Sequence, residues 1–137
     1  MSEPDDAEVP APHGVLATQT IAMPADTNPA GDIFGGWLLA QMDLAGAVIA
    51  WESAKGRIAT VAVDSMTFHR PVFVGDVVSC YGEVVRIGRT SIAVRVEAWA
   101  LRRGVGERHR VTQGVFTYVA LGDDRKPRPI ADEPELA

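Results

Sequence analysis

Gly35 and Gly36 stand side by side at the head of an apolar, small-residue stretch that carries a single acid, Asp43. If that stretch is a helix, its first N–H groups have no partners within it and point along the positive end of the helix dipole. Glycine leaves such amides open, because no Cβ keeps a ligand at a distance. Asp43 lies two turns further along, among Leu38, Leu39, Met42, Leu44, Ala45 and Ala47. Burial in that company is expected to disfavour its charged form and make it a better proton acceptor. Amides that receive an anion, together with a carboxylate that takes a proton or attacks carbon, are the two halves of a hydrolytic site. Asn28, in the entry loop seven residues before Gly35, adds an amide that could orient water; a turn residue ahead of Pro29 is the plainer reading. Asp32 reads as loop or cap chemistry.

Other chemistries find little support. Cys80 is the only cysteine, which excludes an internal disulfide and a thiol metal cluster. His13, His69 and His109 have no Cys or His neighbours at ligand spacing, so no metal is assigned, and His69 reads as loop surface. Ser53, Ser65 and Ser91 sit in no Gly-x-Ser-x-Gly elbow. No glycine-rich phosphate loop is present. A net charge of −5 argues against a nucleic-acid backbone as the main partner. Arginines do cluster late, at 102, 103, 108 and 110 and again at 125 and 128 with Lys126, a pattern that would suit a phosphorylated ligand, although a solvated face is the plainer reading.

The elements that must position these groups can be read from periodicity. At 137 residues the chain fits one domain with a core of its own. Residues 1–13 are acidic and Pro-rich, an expected disordered tail without the blocks of a signal peptide. No apolar run approaches the ~20 residues of a membrane span, so a soluble, cytoplasmic protein is expected. A strand is predicted over 15–22, a loop over 24–34 and a helix over 35–54, with Gly56 as its stop. The helix is apolar on every side, which predicts burial nearly all round.

Strands follow at 58–68, 77–87, 90–103 and 108–121, the middle two joined by the tight turn Gly88-Arg89. In the third of these, Ile92, Val94, Val96, Ala98 and Ala100 face one way; Ser91, Arg95, Glu97 and Arg103 face the other with Ala93, Trp99 and Leu101. In the last, Val111, Val115, Val119 and Leu121 are expected to share a face. The folded domain is placed at 14–122, with a polar, Pro-rich tail at 123–137. Strands of about 35–45 Å against a helix of roughly 30 Å must curl around it. The fold class is therefore α+β, a curved antiparallel sheet around one central helix, with uncovered edges that predict a dimer.

Met23-Pro-Ala-Asp-Thr-Asn-Pro-Ala-Gly-Asp-Ile-Phe-Gly-Gly-Trp37, followed by Gln41-Met-Asp43, resembles the helix entry of hotdog-fold acyl-CoA thioesterases of the YciA type. Val61-Ala-Val-Asp-Ser-Met-Thr-Phe68, Pro71 and Val74-Gly-Asp-Val-Val78 resemble the family's next strand and loop, and Val85-Arg-Ile-Gly-Arg-Thr-Ser91 its hairpin. The similarity covers about residues 15–130. It implies hydrolysis of acyl-coenzyme A to free acid and coenzyme A, with no separate cofactor. It also implies a hotdog dimer, in part of the family assembled as a trimer of dimers. Related branches carry His where this chain has Phe34, so no imidazole role is carried over; YciA-like members share the Phe.

With that resemblance, the Gly35 amide becomes the expected oxyanion donor, Gly36 a second one, and Asp43 the general base or nucleophile. Asn28 matches the family's water- or thioester-orienting amide. Arg89, Thr90 and Ser91 offer chemistry suited to the phosphates of coenzyme A, and Phe34, Trp37, Met42, Met66 and Phe68 are candidate walls for substrate. Gly35 and Asp43 are eight residues apart, about 12 Å along one helix. One carbonyl and its attacking water, ~3 Å apart, do not easily touch both. A site shared between two antiparallel helices across a two-fold axis is therefore expected. The alternatives are an acyl-thioester binder without catalysis and, on the same fold, a dehydratase.

Overall fold

The computed structural model describes residues 11–102 and 106–130. The outer parts of both expected tails, and Arg103 with the start of the turn after it, lie outside the described residues. The helix α1 (Gly35–Ala54) has the bounds expected of it. The left-handed residue that ends it is Lys55 (φ 58°, ψ 43°), just before Gly56, and its N–H donates to the Trp51 carbonyl. Gly56 serves another purpose. A Cβ there would stand 3.0 Å from Arg128 Nη2, which donates to the Ala54 carbonyl at 2.9 Å and so satisfies an orphan of the last turn.

Five strands follow the pattern of alternation: β1 (Val15–Ile21), β2 (Ile58–Phe68), β3 (Val77–Ile87), β4 (Ser91–Leu101) and β5 (Arg108–Ala120). They form one antiparallel sheet in the order β1-β3-β4-β5-β2, with β1 and β2 at its edges. The β3–β4 turn closes when Gly88 N–H donates to the Ser91 carbonyl at 2.8 Å, which delays the start of β4. Every pairing carries a register shift, two of them in β2, and such bulges bend a sheet around what it covers. The inner face of β4, Ile92 to Ala100 at alternate positions, packs on Leu38, Met42, Ala45 and Ala50 of α1.

Three expectations need correction. The face shared by Val115 and Val119 points away from the helix, opposite Arg95 and Ser91, and Val111 leaves it. Ala98 pairs with Thr112 and Trp99 with Arg110, so Val111 is the extra residue of a bulge and is turned into the core. Phe116, Tyr118 and Ala120 face the helix instead. Second, α1 is not buried all round: Leu44, Val48 and Trp51, one stripe at i, i+4 and i+7, are 57%, 54% and 54% exposed. Val61 and Val63 on edge strand β2 are exposed as well. Apolarity on that side serves a face the single chain leaves open.

The third correction concerns the segment expected as a tail. After β5 it packs on the domain as far as Ile130: Leu121 bridges to Pro127, Arg128 N–H donates to Ala120, and Ile130 N–H donates to the Arg89 carbonyl. On the outer face of the sheet, Glu97 and Trp99 are only 1% and 2% exposed. Glu97 accepts from Trp99 Nε1 at 2.9 Å, pairs with His13 Nδ1 at 2.9 Å and lies 3.4 Å from Arg95 Nη2. Burial raises the Glu97 carboxyl, but these hydrogen bonds and the charge of His13 outweigh it and hold the group below its ordinary value.

Candidate active site

The entry loop delivers the chain to α1 with its first amides uncovered. Phe34 is the N-cap residue, in extended conformation, and offers no side-chain cap. Its N–H donates to the Asp26 carbonyl at 3.0 Å, and its carbonyl receives Trp37 and Leu38. The amides of Gly35 and Gly36 find no acceptor among the described residues. The loop is closed upon itself: Thr27 bridges to Ile33, and Asn28 N–H donates to the Asp32 carbonyl at 2.7 Å. Asn28 Oδ1 accepts from Ala30 N–H at 2.9 Å and Asp32 N–H at 3.0 Å, an Asx-type turn. That leaves only its NH₂ for a substrate or water. Asp32 is exposed, as a loop residue should be.

Gly35 lies at a shallow pocket of about 50 Å³, lined by Phe34, Leu38, Phe68, Arg70 and Val72 among others. A Cβ on Gly35 would meet the Phe68 ring at 3.9 Å. Two of the expected substrate walls, Phe34 and Phe68, are thus brought to the glycine amides. Arg70 was missed; it stands two residues after β2 and lines the same pocket. Met66 and Met42 do not join them. Met66 lies over Gly114 and against the core, and Met42 is wholly buried. Trp37 is half-buried against the core.

Asp43 is half-buried and not enclosed as expected, because Leu44 and the stripe beyond it are open in the single chain. Its Oδ1 accepts from Thr60 Oγ1 at 2.9 Å and from Tyr118 Oη at 3.0 Å. The same phenol lies 2.9 Å from the Asp43 backbone carbonyl. Burial first, then the charge of Asp43 and the hydrogen bond to it, raise the Tyr118 pKa far above that of a free phenol, so it stays a donor. Neither hydroxyl was singled out in the sequence. The only available signal was register: Thr60 and Tyr118 are direct partners across β2 and β5.

The two halves are therefore held at different places in one chain. Gly35 shares a pocket with Phe68 at the end of β2, whereas Asp43 is tied to Thr60 near its start. The hairpin Arg89-Thr90-Ser91 goes with the second half: Ile92 pairs with Tyr118, Thr90 receives Ala120 N–H, and Ile130 holds Arg89. His69 is half-buried and not on a loop surface; its N–H donates to the Val111 carbonyl, and Nε2 is buried without a hydrogen bond. Among the described residues no three His, Cys, Asp or Glu side chains gather to hold a metal ion.

Comparison with known proteins identifies the family. Residues 30–107 match the family described as "Thioesterase superfamily". The chain belongs to the thioesterase superfamily. It is 52% identical over 122 residues to the acyl-CoA thioester hydrolase YciA of Salmonella typhimurium, covering 87% of this chain and 92% of that one. Among solved structures it is similar to HI0827, a hexameric broad-specificity acyl-coenzyme A thioesterase, with a TM-score of 0.86 and 48% identity over 94% of this chain and 89% of the other. It is likewise similar to Cj0915 of Campylobacter jejuni, a hexameric hotdog-fold thioesterase, with a TM-score of 0.83 and 47% identity over 87% and 92% of the two chains. This thioesterase thus has the hotdog fold that its sheet and helix describe.

Proposed function

We propose that this thioesterase hydrolyses acyl-coenzyme A to a carboxylic acid and coenzyme A at a site shared by two chains. The observation that carries the reading is the pair of acceptor-free amides, Gly35 and Gly36, on the helix that also bears Asp43. Attack on a thioester carbonyl places negative charge on its oxygen, and amides at a helix N-terminus stabilise that charge where it develops. Asp43 from the neighbouring chain either takes the proton of the attacking water or attacks the carbonyl itself to give a mixed anhydride. The NH₂ of Asn28 orients water or the thioester. Phe34 and Phe68 flank the acyl thioester, and Arg89, Thr90 and Ser91 receive the phosphates of coenzyme A.

Two features support the shared site. Gly35 and Asp43 are separated by about 12 Å of helix, and the open stripe of Leu44, Val48 and Trp51 adjoins Asp43. Two chains meeting along that stripe and the β2 edge place the helices antiparallel. The hexameric relatives fit further assembly of such dimers into a trimer of dimers. An acyl-thioester binder would need neither the open amides nor the carboxylate, and a dehydratase lacks its imidazole at Phe34. Thiol release from acyl-CoAs of increasing chain length tests the reading. Turnover by the native protein, lost in Asp43→Ala, is the expected result; no thiol release from any acyl-CoA overturns it.

A further inference from the structure

We propose that the outer face of the sheet carries a binding site for a phosphate group, built at a bulge of β2 from Ser65, Arg95 and Gln113. With Gly114 and Val115 these residues line a pocket of about 220 Å³. The hydrolysis described above uses none of them. The pocket exists because β2 slips against β5. Asp64 pairs with Val115 and Thr67 with Gln113, so Gly114 alone faces both Ser65 and Met66. Met66 takes the inward place against the core, and only a glycine opposite admits it: a Cβ on Gly114 would overlap the Met66 sulfur. Ser65 is left at the pocket with φ 57°, a left-handed conformation rare for a residue other than glycine. Conformation alone would favour glycine at that position, and such backbone outliers gather where ligands are held.

The polar groups left open in this pocket are donors. Gln113 is only 6% exposed, and its Oε1 accepts from Arg95 Nη2 and from Arg110 Nη1, both at 2.7 Å. Guanidinium groups only donate, so the amide oxygen is fixed on their side and the NH₂ is turned the other way. That NH₂ has no acceptor among the described residues, and neither have Nε and Nη1 of Arg95, whose side chain is partly exposed. The nearby Glu97 carboxylate is already engaged by Trp99 Nε1, by the N–H and Nδ1 of His13, and by Arg95 at 3.4 Å. Asp64 is exposed and forms no ion pair with a described residue. Donors from β2, β4 and β5 thus line one pocket beside a guanidinium charge. A flat carboxylate has two oxygens to offer them; a phosphate group has three strong acceptors and the larger charge.

Calorimetric titration of the full chain with inorganic phosphate at fixed ionic strength tests the site. One saturable phosphate per chain is expected. Gln113→Glu keeps an acceptor for both arginines, but it removes the NH₂ and adds a negative charge, so saturable binding should vanish. Ser65→Ala and Arg95→Gln should each weaken binding by roughly ten-fold or more, the range for a lost hydrogen bond to a charged group. Ser65 is exposed, so its variant keeps the test open if the others fail to fold. Arg89→Ala, at the hairpin, should bind phosphate as the native protein does. Glycerol 3-phosphate as the titrant decides the source of the group: tighter binding than phosphate marks an ester as the ligand, and equal or weaker binding marks the free ion. No saturable binding of either by the native protein overturns the site. Binding that survives in Gln113→Glu overturns it too, as does binding lost in Arg89→Ala, which gives the phosphate to the hairpin.

Discussion

The Phe68 ring lies 3.9 Å from where a Cβ of Gly35 would stand, so the glycine that opens the helix is not required by packing. Ala fits there in ordinary contact. Proline fits too: it is favoured at the first helical position, and Phe34 (φ −59°, ψ 136°) already has the extended backbone that precedes proline. Gly35→Pro therefore deletes one N–H and little else. We expect it to melt close to the native protein and to lose about 10²–10³-fold in kcat, the cost of one oxyanion donor.

The same variant addresses the shared site. Dissociated and reassembled mixtures of Gly35→Pro and Asp43→Ala chains should regain activity well above that of either parent. Random pairing makes half of the dimers mixed, each with one intact site of two, so about a quarter of native turnover is expected. Mixtures as inactive as their parents would place both groups in one chain's site.

Trp51 and Val48 form the open stripe next to Asp43. Trp51→Lys should leave the core intact, since that side chain is 54% exposed, but put a charge into the proposed interface. We expect a lower mass by light scattering and loss of thiol release with both Gly35 and Asp43 still present. An active monomer would rule out the shared arrangement.

Glu97 links acidity to stability. Its folded pKa is depressed below the ordinary 4.5, so its contribution is present above that value and is lost as pH falls through the lower folded value. Glu97→Gln should therefore flatten the acid side of a melting-temperature profile. Glu97→Ala, which leaves the buried Trp99 N–H without its acceptor, should cost about 1–3 kcal/mol in denaturant unfolding at neutral pH.

Cys80 is buried on β3, and burial pushes its thiol up to about 11, a hydrogen bond with Thr18 opposing in part. The thiolate is the reactive form. The native protein at neutral pH should thus give almost no signal with a thiol-reactive dye until denatured. Released coenzyme A can then be read without background.

Much of the fold was legible because local signals agreed. Gly35 and the charged run after Ala54 bracket a helix of the stated length, and β2 and β3 have the bounds their β-branched runs implied. Val111 was misplaced because a bulge inserts one residue, and period two cannot foresee a change of parity. The stripe at Leu44, Val48 and Trp51 was read as core because burial in a domain and burial between chains demand the same residues. Gly35 and Asp43 could be singled out because a glycine pair heading an apolar stretch and the lone acid within it are local patterns. The two hydroxyls at Asp43 could not, since Thr60 and Tyr118 reach it from 17 and 75 residues away.

Arg128 spans from the Leu121 carbonyl to the Ala54 carbonyl, and Ile130 two residues later grips Arg89. The ten residues 121–130 beyond the last strand thereby moor the far end of the helix and the β3–β4 hairpin to one another. Shortening the chain at Gly122 would cast off both together, so a trim that looks cosmetic would loosen the hairpin that carries Arg89.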